Sequence, residues 1–271
     1  MIDPTETLKG GVSIVGEIMK AAGDNPAVKE AGANLGQTAV TLTKTINNVL
    51  MPLAAINYAF DKAHAYFSEK FPADMTARAA TIPREQLIAP RPSVAGPALQ
   101  GLAFTHEEKP LREMFLSLLA TSMDQRVSTD AHPAFVEIIK QLTAREAILL
   151  KDALSENAFS IIQIRLTDKE SNGWNLLLNH VLDHYSEETS ERIEEPQGTA
   201  MVDNWIRLGL VEVTYSSTIS GVDTYDWIEK RPEYQRLCIN NNHGTKTVTY
   251  KKGRLSTTAF GLQFAKATGI I

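Results

Sequence analysis

The chain has 271 residues, 43% of them apolar, and a formal net charge of −5 at pH 7. That length and apolar share suffice for a buried core without covalent staples, and a single cysteine, Cys238, excludes an intramolecular disulfide. Lys+Arg against Asp+Glu is 9 to 9 over residues 1–100, 9 to 17 over 101–200 and 9 to 6 over 201–271, so the middle is acidic and the end mildly basic. An acidic middle argues against nonspecific nucleic-acid binding by the whole molecule, which draws on clustered Lys and Arg.

The first residues (Met1-Ile2-Asp3-Pro4-Thr5-Glu6) lack the basic start and apolar core of a secretory signal, so the expected compartment is the cytoplasm. No stretch reaches the roughly 20 apolar residues of a spanning helix. Asp3-Pro4 reads as a cap followed by Pro at the first helical position. Gly23-Asp24-Asn25-Pro26 ends one helix and starts the next, and Pro52 is expected to kink or divide the helical segment around it. Residues 1–70 are therefore read as a helical arm. Residues 71–97 carry Pro72, Pro83, Pro90, Pro92 and Pro97 and are read as a linker with one short helix near Asp74–Ala80.

The clearest periodicity comes next in the chain. Leu111, Met114, Phe115, Leu118, Leu119, Ser122 and Met123 recur at helical spacing and predict an amphipathic helix. His132-Pro133 opens another helix, and Thr143 three residues before Glu146 is a capping-box start. Beyond Leu154 the pattern predicts a strand over Phe159–Leu166, a helix over Trp174–Tyr185, a helix over Pro196–Leu208 and a strand over Leu210–Tyr215. A second strand, Thr247–Lys252, is expected to turn at Gly253 before a last helix near Thr257. The expected fold is mainly α with a small α+β part: a helical core over 98–155 and a winged-helix-like domain over 156–271.

Few constellations carry chemistry. His180 and His184, four apart on the expected helix, would share one face, but no third ligand accompanies them, and a structural role is the expectation. Gly32 and Gly36 would let two helices approach closely, so arm packing is the reading there. Lys246, Lys251, Lys252 and Arg254 form a local basic cluster on the expected wing. They are the candidate contact to nucleic acid or to a partner, with a solvated hairpin as the plainer reading. Cys238 has no activating partner in the sequence, and phosphate loops, nucleophile elbows and paired zinc-ligand motifs are missing. No catalytic residue, metal or cofactor is expected.

The stretch REMFLSLLATSMD (Arg112–Asp124), the subsequent HPAFVEIIKQLTAREA (His132–Ala147), and the later NWIRLGLVEV and LSTTAFGLQFA resemble the Abi-alpha family of bacterial proteins. The resemblance spans roughly residues 95–267 and implies a part in abortive infection, the defence in which an infected cell stops before phage progeny emerge. It supplies no catalytic residues. The resulting expectation is a non-enzymatic antiphage effector or sensor that contacts a phage or host protein or assembles with its own copies. Contact with the inner-membrane surface through residues 1–70 would make it peripheral there. The rival is a winged-helix DNA-binding transcriptional regulator.

Overall fold

The computed structural model describes residues 57–271 apart from 187–188. The expected cap at Asp3-Pro4, the break at 23–26, the Gly32 and Gly36 pair and the Pro52 kink lie outside the described residues. The architecture is mixed α+β, with helices and a four-stranded antiparallel sheet. It divides into two compact units, one running to Leu149 and joined by Gln263–Ile271, the other spanning Leu150–Leu262. No described helix is long and apolar enough to cross a membrane.

Among the described residues the helical unit opens with α1 (Asn57–Ala65), one π-helical turn (Tyr66–Lys70) and α2 (Phe71–Ala79). Tyr66, Phe67 and Phe71 are buried, with ring centroids 5.4 Å apart for Tyr66–Phe67 and 5.3 Å for Phe67–Phe71. The last part of the expected arm therefore packs into a core. The expected linker needs correction too, because α3 (Pro92–Thr105) is a 14-residue helix inside and beyond it. Pro72 and Pro92 sit in first helical turns, where a missing N–H costs nothing. Pro97 lies inside α3, and its lost hydrogen bond is offset by burial of Val94, Ala98, Leu99 and Leu102.

The apolar stripe forms α4 (Lys109–Met123), with Leu111, Phe115, Leu118 and Leu119 buried. A Cβ added to Gly101 would lie 2.3 Å from Phe115 Cζ, so this glycine makes room for the ring between α3 and α4. His132 caps α5 (Pro133–Ile139) by accepting from the Ala134 N–H at 3.1 Å. At the start of α6 (Ala144–Ser155), Thr143 Oγ1 accepts from the Glu146 N–H at 3.1 Å and Glu146 Oε2 accepts from the Thr143 N–H at 2.8 Å. That is the reciprocal capping box expected from the sequence. Residues 263–271 return to this unit, where the Phe264 ring meets Phe135 edge-on at 5.5 Å.

In the second unit the strand order is β2-β1-β4-β3. The long strands β1 (Ala158–Asp168) and β4 (Lys246–Thr257) pair from Ala158↔Ser256 to Asp168↔Lys246. The edges are β2 (Trp174–Val181) and β3 (Val211–Thr214). One face buries Ile162, Ile164 and Val248 under Tyr225, Trp227 and Ile228. Helix α7 (Gly198–Arg207) packs against β2 and β3, and α8 (Pro232–Asn241) packs against β4. The last helix is α9 (Ala259–Ala267).

Two expectations fail here. Trp174–Tyr185 is not a helix, because its residues pair with β1 across a turn in which Asp168 Oδ1 accepts from the Glu170 N–H at 2.9 Å. Asn172 takes a φ of 54° in that turn, and Gly173 comes directly after it. Gly253 does not turn the chain either, because β4 runs straight through it. A Cβ there would lie 2.4 Å from Tyr215 Cδ1, so glycine is needed for the ring's close approach.

Candidate functional site

The residues most distinct from ordinary packing lie on the sheet face that α7 borders. Ile162 pairs with Val181 but Ile164 pairs with Leu178, so three steps on β2 answer two on β1. This bulge turns His180 into the left-handed region, at φ 54°. Its ring, 8% exposed, sits between Nδ1···Oη of Tyr215 at 2.9 Å and Nε2···Oδ1 of Asp203 at 3.2 Å. A carboxylate accepts only, so Nε2 carries the proton and Nδ1 accepts from the Tyr215 hydroxyl.

The polar row continues along β1. Gln163 Nε2 donates to Asn179 Oδ1 at 3.0 Å, and Arg165 Nη2 donates to Gln163 Oε1 at 2.6 Å. The Arg165 guanidinium lies 3.8 Å over the ring of Trp174. At the start of α7, Thr199 Oγ1 donates to the Asn179 carbonyl at 2.6 Å, so the helix is tied to the bulge as well as to His180.

Burial sets the protonation of this row. It pushes the Tyr215 hydroxyl well above the usual phenol range, which keeps the group protonated. It also lowers the pKa of His180 below 6.5, against the opposing pull of Asp203. The arrangement holds a neutral imidazole as a bridge between α7, β2 and the chain after β3. Because the folded pKa is depressed, the unfolded chain binds the proton first, and stability is lost as pH falls below about 6.5. Thermal melts at about pH 7.5 and pH 5.5 should show a larger drop for the wild type than for His180→Asn, which tolerates the same backbone. Equal drops would remove His180 from the acid sensitivity.

The residues expected to form a basic cluster are distributed along β4. Strand alternation puts Lys246, Lys252 and Arg254 on one face and Lys251 on the other, with about 26 Å of strand between the first and last. Lys252 Nζ lies 4.9 Å from the centre of the Tyr225 ring, and Arg254 Nε is buried without an acceptor. His184 lies beyond β2, where its carbonyl accepts from Arg231, so the two histidines share no helical face. Among the described residues no group of three or more His, Cys, Asp or Glu side chains is placed to hold a metal. Cys238 packs, partly buried, beside the sheet core.

Sequence reasoning passed over Asn179, Tyr215, Gln163 and Arg165. The Asp168-to-Gly173 turn was the available signal for the hairpin, since Asn-Gly beside a strand marks a reversal. Nothing local announces Tyr215, whose place depends on Gly253, 38 residues further along the chain.

The Abortive infection alpha family model matches residues 63–268. The chain belongs to that family. Membership gives it an abortive-infection-type role, and the match takes in both the helical stripe and the whole polar row. No curated protein matches the chain. A solved structure of an uncharacterized protein from the marine bacterium Alcanivorax borkumensis SK2 is 15% identical, covering 54% of this chain and 96% of that one at a TM-score of 0.33. At that score the likeness carries no argument.

Proposed function

We propose that this Abortive infection alpha protein works by docking onto a phage or host protein, as a non-enzymatic sensor or effector of defence. The observation that supports this is the edge strand β2, which presents Trp174 at 51% and Leu176 at 47% exposure. Register sets Trp174 opposite Thr167 and Leu176 opposite Arg165, so the apolar pair and the guanidinium share a face. Trp and Arg dominate the binding energy of protein interfaces, and β2 also offers an unpaired strand edge for a partner chain. Assembly of copies through the arm of residues 1–70, with Gly32 and Gly36 as the packing positions, and attachment of that arm to the inner-membrane surface complete the proposal.

The regulator reading keeps the order helix, Gly209 turn, strand that a winged helix would have. It is less favoured, because α7 turns Met201, Val202 and Trp205 inward and offers Asp203 and Arg207 to a groove.

Phage plating tests the docking reading. Cells carrying the Trp174→Ser, Leu176→Ser double variant should lose protection while its thermal melt stays within a few degrees of wild type, since exposed substitutions usually cost no more than about 0.5 kcal/mol each. Full protection by the folded double variant would discard this surface. A parallel deletion of residues 1–56, which spares the buried Tyr66 and Phe67, should also abolish protection, and its retention would take the arm out of the mechanism.

A further inference from the structure

The helical unit carries a cavity of about 390 Å³. Lys62, Tyr66 and Lys70 line it from α1 and the π-helical turn, and His106, Glu107 and Arg112 line it from the end of α3 and the start of α4. The Tyr66 and His106 rings stack with centroids 5.1 Å apart and planes 24° apart, which makes one wall flat. The size falls in the range of small-molecule pockets.

Charge decides what such a cavity would take. Three cations face two carboxylates, and one of these, Glu107, is held by Lys62 at 2.7 Å. Glu69 is the other, which leaves a surplus positive charge. Arg112 Nη1 donates to the His106 carbonyl at 2.6 Å, but Nε is buried and has no acceptor. The buried Nε is closed to the cavity, so contact with a ligand falls to the terminal nitrogens of the guanidinium, a planar permanent cation that suits a carboxylate or phosphate above other groups.

We infer that this cavity binds a small organic anion carrying a phosphate or carboxylate group, with Arg112 as its main contact. Lys70 adds the second charge, and the Tyr66–His106 wall lies against the rest of the ligand. The inference is independent of the docking surface on β2.

Isothermal titration of the full chain at low salt with pyrophosphate and, separately, with malonate tests it. At least one probe should bind saturably with a Kd below about 1 mM, and the probe that binds distinguishes phosphate from carboxylate chemistry. Arg112→Gln should weaken that binding about tenfold or more, and Lys70→Gln about threefold. Val222→Ser, almost fully exposed on the other unit, should leave it unchanged. Should Arg112→Gln fail to fold by circular dichroism, the exposed Lys70→Gln variant decides. Absence of saturable heat with both probes up to about 10 mM, or equal affinity in wild type and the folded variants, would overturn the site.

Discussion

Replacing Arg231 with Met is expected to destabilise the sheet unit by about 3–5 kcal/mol, as removal of one member of a buried ion pair typically does. Arg231 is 1% exposed, and its Nη2 lies 2.8 Å from Oε1 of Glu233, itself nearly buried. The same guanidinium donates to the carbonyls of His184 at 2.9 Å and Ile193 at 2.8 Å. One side chain thus satisfies a carboxylate and two backbone acceptors, and it straps the irregular chain after β2 onto the start of α8. Met restores much of the volume but none of the donors, and it strands the Glu233 charge in the interior. Urea denaturation of Arg231→Met, Glu233→Met and the double variant checks the mechanism. The double variant should be more stable than Arg231→Met alone, because the stranded charge goes with it. A double variant that loses the sum of both single effects would show that the pair is not coupled.

Phe115→Ala is expected to cost the helical unit about 3–5 kcal/mol through lost apolar burial and the cavity left behind. The ring is fully buried on α4 and occupies the space that Gly101 leaves on α3. Neighbours on that helix, Leu118 and Leu119, are also fully buried, so little backbone is free to collapse into the gap. Urea midpoints give the measurement, with the slope checked for constancy. A loss below about 1 kcal/mol would mean that the stripe is not the core of this unit.

Local chemistry made parts of this protein readable in advance. The stripe from Leu111 to Met123, the cap at His132 and the Thr143–Glu146 box each depend on residues within a turn or two of one another, and each is present as expected. The prolines misled because their effect depends on position. Five within residues 71–97 suggest a linker, yet Pro72 and Pro92 stand where a helix starts. The Trp174–Tyr185 segment misled for another reason. Its leucines and histidines suit a helix or a strand, and the choice fell to pairing with β1, a partner the segment itself does not reveal.

The candidate site obeys the same division. That the chain belongs to an abortive-infection family, and that its middle is helical and acidic, was written in consecutive residues, because helix periodicity, caps and family motifs are short-range patterns. The bulge at His180, the seat of Tyr215 on Gly253 and the parting of Lys251 from Lys246, Lys252 and Arg254 were decided by tertiary structure. Strand register determines which side chains share a face, and register is a property of two segments that meet only after the chain has folded.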